Sequence, residues 1–138
     1  MIRESMYIDR YDWRVCAYLA ADAKDAGEII AKLEEIGINA SQMMRAERHV
    51  QRAALDSGMT YSSLRNRTSV FVVSIASSEE ETFNTFSHEL RHLADDIAKA
   101  CDIPPEGEQV AYLTGDIALA LASSLLHIVC HCPTCRER

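Results

Sequence analysis

Apolar positions along this chain recur with two periods, near two in some stretches and between three and four in others. From Trp13 to Ala20 (W-R-V-C-A-Y-L-A) apolar and mixed residues alternate, which predicts a β-strand. Asp22 then stands where a helix cap belongs, Ile29, Ile30, Leu33 and Ile36 form one stripe, and Gly37 supplies the stop. A second helix is expected over 41–56. Its Arg45, Glu47, Arg48, Gln51 and Arg52 read as a solvated face, His49 as a surface histidine among them, and Gly58 as its end. A turn-rich stretch through Thr60, Ser62, Ser63 and Asn66 leads to T-S-V-F-V-V-S-I over 68–75, the strongest strand signal in the chain.

Two longer helices follow. Ser77 and Ser78 each have a glutamate three residues on, a capping-box pattern that also puts negative charge at a helix N-terminus. From there Phe83, Phe86, Leu90, Leu93 and Ile97 share one face, with His88 and His92 on roughly the opposite side and Glu89 on the flank between. The run breaks at Asp102-Ile-Pro-Pro-Glu-Gly107, because neither proline can continue a helix. Between Glu108 and Ile128 a further helix carries Val110, Leu113, Ile117 and Leu121 on one face and the small residues Ala111, Gly115, Ala118 and Ala122 in a line, which predicts close approach of a neighbour. The histidine helix is the expected neighbour. Together these elements predict an α+β fold in which a small sheet packs on helices.

Size and charge narrow the class. The chain has 138 residues, enough for one domain to bury a core without disulfide staples, and is 48% hydrophobic and 25% charged, a globular balance. A single domain over 1–138 is expected, with the motif-bearing part at about 68–128 and no motif in the first 60 residues. The net charge of −7 disfavours nucleic acid as a partner. No stretch reads as a signal peptide or an apolar bilayer span, so no membrane role is expected. Five cysteines, three of them crowded at Cys130, Cys132 and Cys135, suit a reducing, cytoplasmic setting.

The chemistry is concentrated in His88-Glu-Leu-Arg-His92, an H-E-x-x-H pattern inside the predicted helix. Residues four apart project from one side, so two imidazoles can grip one divalent cation while Glu89 faces a water on it. With this composition the pattern would arise in roughly one random rearrangement in eighty, so helical context and a third ligand matter. Catalytic zinc takes three protein ligands and keeps a fourth position for water. The elongated H-E-x-x-H-x-x-G-x-x-H form is excluded, because Asp95 and Ala98 stand where its glycine and third histidine belong. Glu108, opening the next helix, is the favoured third ligand; Asp96, Glu106 and His127 are the other candidates. Among Asp95, Asp96 and Asp116, Asp116 is preferred as a carboxylate that accepts an imidazole N–H and so orients a ring. Tyr112 and Arg91 are weaker candidates for stabilising an oxyanion.

The segments S-H-E-L-R-H-L-A-D-D over 87–96 and G-E-Q-V-A-Y-L-T-G-D-I over 107–117 resemble the small gluzincin-type H-E-x-x-H zinc metallopeptidases of phage-derived and mobile regions of bacterial genomes. The likeness covers roughly residues 68 to 122. It implies a minimal zincin-like domain in which His88, His92 and Glu108 bind zinc and Glu89 is the general base. A peptide or protein substrate is implied, with the strand over 70–75 offering an edge for strand addition.

Cys130-His-Cys-Pro-Thr-Cys135 holds soft ligands for a second zinc, but has no further ligand cluster to close such a site and lies at the chain end, so a tail of incidental thiols over 129–138 is favoured. Two functions stand side by side. One is a zinc peptidase working through a metal-activated water; the other is a non-catalytic metal-binding protein that serves assembly or regulation in a phage or mobile element.

Overall fold

A computed structural model describes residues 1–51, 57–130 and 132–136, with the side chains of Gln51, Cys135 and Arg136 left undescribed. The end of the expected 41–56 helix and the Cys135 thiol therefore lie outside the described residues. The described elements are β1 (Ile2–Ile8), β2 (Trp13–Ala21), α1 (Ala26–Ile36), α2 (Ala40–Gln51), β3 (Gly58–Ser63), β4 (Thr68–Ser74), α3 (Glu79–Ala100), α4 (Glu108–Val129) and the single turn α5 (Pro133–Arg136). The fold is α+β, a four-stranded mixed sheet packed with helices.

Strand order is β1-β2-β4-β3. β1 and β2 are antiparallel, β2 and β4 parallel, and β3 runs antiparallel to β4 at the sheet edge. Two strands fall outside the sequence expectations. In β1, Ile2, Met6 and Ile8 turn inward but Glu4 interrupts their alternation, and its carboxylate accepts a hydrogen bond from Ser124 of α4 at 2.6 Å. In β3 the run G-M-T-Y-S-S has the composition of a turn, yet its Ser62 and Ser63 are buried. Gly58 therefore begins a strand rather than ending a helix. The edge expected over 70–75 is also corrected: β4 lies between β2 and β3, which is why it is apolar on both faces.

The sheet has a helical layer on each side. On one face, Trp13, Val15, Ala17 and Leu19 of β2 with Phe71 and Val73 of β4 pack against α3 and α4. On the other, Tyr18, Val70, Val72 and Met59 meet Ile29, Leu33 and Ile36 of α1 and Ala46 of α2. Gly37 ends α1 in the left-handed conformation that the sequence anticipates, at φ 80°, and Asn66 donates to the Ile36 carbonyl at 2.9 Å.

Ser78 caps α3 by accepting the Glu81 N–H, which selects it from the two candidate serines. Phe86, Leu90, Leu93 and Ile97 are buried as the stripe requires, whereas Phe83, one turn from the N-terminus, stays exposed. The connection over 101–107 turns the chain back, and α4 packs on α3 through Leu113, Ile117, Leu121 and Leu125. By length and mean hydropathy α4 has the dimensions of a bilayer span, but these four side chains belong to the core.

Candidate metal centre

Packing the apolar stripe of α3 into the core turns its opposite face toward the β3 edge of the sheet. There a cavity of about 880 Å³ opens between β3, the end of β4 and α3. Its lining includes His88, Glu89, His92 and Asp96 from α3, Gly58 and Thr60 from β3, and His49 from α2. The two imidazoles meet edge to face, with their Nε2 atoms 3.1 Å apart. That separation lets one ring donate to the other. It also suits one shared cation, since nitrogens each about 2.0–2.1 Å from a tetrahedral zinc sit roughly 3.3 Å from one another. Both rings are exposed to the cavity.

Glu89 occupies the seam between α3 and β3 and is only 5% exposed. Thr60 donates its hydroxyl to Glu89 Oε2 at 2.7 Å. This contact requires α3 to lie close against the strand, and Gly58 permits it: a Cβ there would come 2.5 Å from the Val72 carbonyl and 3.0 Å from Glu89 Cγ. The glycine is thus part of how the carboxylate is placed.

Asp96 closes the far end of the cavity and is held by a buried chain of hydrogen bonds. Trp13 Nε1–H donates to Ser69 Oγ at 2.9 Å, the Ser69 and Ser62 hydroxyl oxygens lie 2.6 Å apart, and Ser62 donates to Asp96 Oδ2 at 2.6 Å. With Trp13 able only to donate and the ionised carboxylate only to accept, the hydroxyl protons all point toward Asp96. Burial pushes the Asp96 carboxyl above its ordinary value, opposed by the Ser62 hydrogen bond and by the nearby His92.

The other residues singled out from sequence sit elsewhere. Glu108, Tyr112 and Asp116 are exposed on α4 and do not line the cavity. Because α4 packs on the Leu90–Leu93–Ile97 side of α3, it lies across that helix from the histidines. Glu108 also begins α4 at the level of the α3 end, roughly 12 Å along the axis from His92. Among the described residues, no group of three or more His, Cys, Asp or Glu converges tightly enough to hold a metal. Glu106 and His127 are exposed outside the cavity, and Arg91 pairs with Asp95 at 3.0 Å on the surface. Of the small line on α4, Ala118 packs against the core shared with α3, whereas Ala111 and Gly115 are exposed and a Cβ at Gly115 would meet nothing within 4 Å. In the tail, the Sγ atoms of Cys130 and Cys132 lie 3.2 Å apart.

Sequence reading missed Thr60, Ser62 and the cavity position of His49. The one signal for the first two is that both lie at even spacing from Gly58 and so share its face of β3. No family model, curated protein or solved structure matches this chain.

Proposed function

We propose that this chain is a zinc-dependent peptidase in which His88 and His92 hold the ion and Glu89 is the general base. The observation that carries this reading is the 3.1 Å approach of the two Nε2 atoms beside Glu89, in a cavity bordered by the β3 strand edge. Zinc bound between the two imidazoles would supply a Lewis acid and would lower the pKa of a water to about 7. Glu89 would take the proton of the attacking water and pass it to the leaving amine. With Oε2 occupied by Thr60, Oε1 is the oxygen left for that transfer. With Glu89 kept as the base, the cavity groups from which a third protein ligand would come are Asp96 and His49; the Glu108 ligand implied by the gluzincin resemblance would have to reach it from outside.

β3 presents the substrate-binding edge in this reading. Ser74 N–H bonds the Ser57 carbonyl, so in the antiparallel register Ser57, Met59 and Tyr61 pair inward while Gly58, Thr60 and Ser62 direct their backbone groups outward. Gln42 already donates to the Ser62 carbonyl at 3.3 Å. An extended peptide would therefore pair at Gly58 and Thr60, alongside Glu89.

A non-catalytic metal-binding role is the second reading, favoured by the burial of Glu89, whose bond to Thr60 ties α3 to the strand. Elemental analysis and peptide-library cleavage of the pure protein distinguish the two. The peptidase reading expects stoichiometric zinc in the wild type, its loss in the His88→Ala/His92→Ala double variant, and a Glu89→Gln variant that keeps zinc while cleavage falls about 10²–10⁴-fold. Zinc retention without any cleavage by the wild type would leave the second reading. If wild type and double variant both lack zinc, neither survives.

A further inference from the structure

The outer face of α4 carries a pattern that nothing else in the described chain uses. Tyr112, Leu119 and Leu126 are 64%, 77% and 53% exposed, and they stand seven residues apart. At about 100° per residue, the three fall within one narrow strip directly opposite the buried Leu113–Ile117–Leu121–Leu125 face. A seven-residue apolar repeat on a helix surface is the seam of a helix pair. Beside it runs Gly115, with open space over its Cα, and the half-buried Ala122, residues small enough for a second helix to pack close.

We infer that α4 is a homodimer interface, in which two copies of this chain pair their α4 helices antiparallel about a dyad at Leu119. The spacing is symmetric about that residue, so the strip is complementary to itself under a two-fold axis, as an isologous contact requires. Leu119 meets its own copy, and Tyr112 meets Leu126 of the second copy, twice. Polar groups match under the same operation: Asp116 comes level with the Ala122–Ser123 turn of the second copy, whose serine hydroxyl can donate to it. Glu108, at the positive end of one helix dipole, faces the last turn of the other, where His127 stands.

Size fits a modest dimer rather than an obligate one. A contact between two helices roughly 33 Å long is small, no larger than the low end of specific interfaces at about 1,200 Å² in total, where association is reversible. A lipid surface is the less suitable occupant. α4 contains no Lys or Arg, Glu108 and Asp116 flank the strip, and the chain carries −7, which opposes anionic headgroups. The interface lies across α3 from the histidine cavity, so it neither needs nor disturbs the proposed chemistry.

Sedimentation velocity over the micromolar range tests the pairing on the full chain. The wild type is expected to pass reversibly from its 15.4 kDa monomer to twice that mass, and Leu119→Glu to stay monomeric with an unchanged circular dichroism spectrum. Independently of that variant's behaviour, Leu119→Cys in a background with Cys130, Cys132 and Cys135 changed to Ser should cross-link to itself under mild oxidation. A wild type that remains monomeric at every concentration, a dimer that survives Leu119→Glu, or a Leu119→Cys protein that does not cross-link overturns the proposal. So does Leu119-dependent binding of the monomer to phosphatidylglycerol vesicles, which would make lipid the occupant.

Discussion

α3 and α4 are two 22-residue helices packed on each other and on the same sheet face, yet their outward sides differ completely. Outward on α3 are His88, His92 and the Arg91–Asp95 pair; outward on α4 are Tyr112, Leu119 and Leu126. Each helix is anchored by an apolar stripe of similar size. What distinguishes them is whether the sheet continues beneath the free side. α3 lies against the β3 edge, where a strand and a helix enclose a cavity for polar side chains; α4 lies toward β1, beyond which no described element covers it. The same hairpin thus makes a concave polar site on one flank and a convex apolar strip on the other.

The sharpest way to break this comparison is on α4 itself. Leu121→Ala empties a fully buried position and is expected to cost about 2–5 kcal/mol of stability, whereas Leu119→Ala, two residues away, should move monomer stability by less than about 0.5 kcal/mol. Urea denaturation of dilute protein measures both, and equal losses would mean that the two sides of α4 are wrongly assigned. On the α3 side, Gly58→Ala forces a methyl group against the Val72 carbonyl and Glu89. The expected loss is about 1–3 kcal/mol, with any cleavage activity falling too because the Thr60–Glu89 contact is pushed apart.

Smaller effects probe the ends and the rim of the cavity. Ser78→Ala removes the α3 cap and should cost about 1 kcal/mol, read as a lower thermal midpoint. Asp96→Asn isolates the charge that burial disfavours. Because the folded-state pKa lies above the unfolded one, ionised Asp96 costs stability at neutral pH, and the cost disappears as pH falls through the raised value. In metal-free protein the Asn variant, still able to accept from Ser62, should therefore have a slightly higher Tm at pH 7, an advantage that shrinks toward pH 4. A variant less stable at pH 7 than at pH 4, relative to wild type, would contradict that sign.

Much of the fold was readable because local periodicity and long-range burial agree. The strands at Trp13 and Thr68, the Gly37 stop, the Ser78 cap and the Pro104-Pro105 break all follow from short-range chemistry. β3 was hidden because Thr60, Ser62 and Ser63 have turn composition; the Thr60 and Ser62 hydroxyls are satisfied by Glu89, Asp96 and Ser69 on other elements, whereas Ser63 accepts locally from the Asn66 N–H. The site was half legible in the same way. His88, Glu89 and His92 share one helix, so spacing alone brings them together. Glu108 was expected to join them from α4, but the wheel that puts the histidines opposite Leu90, Leu93 and Ile97 already turns them away from whatever packs on that stripe. Both statements could not hold once α4 proved to be the packing partner.

By itself, then, the order of residues determined which segments are helical or extended and which side of each helix is apolar, because those depend on neighbours within one or two turns. Only the tertiary structure decided which neighbour covers each side. That choice rests on strand order and on the sum of many burials across the whole core. It is the reason that β3 and His49, rather than the start of α4, stand around the histidine pair.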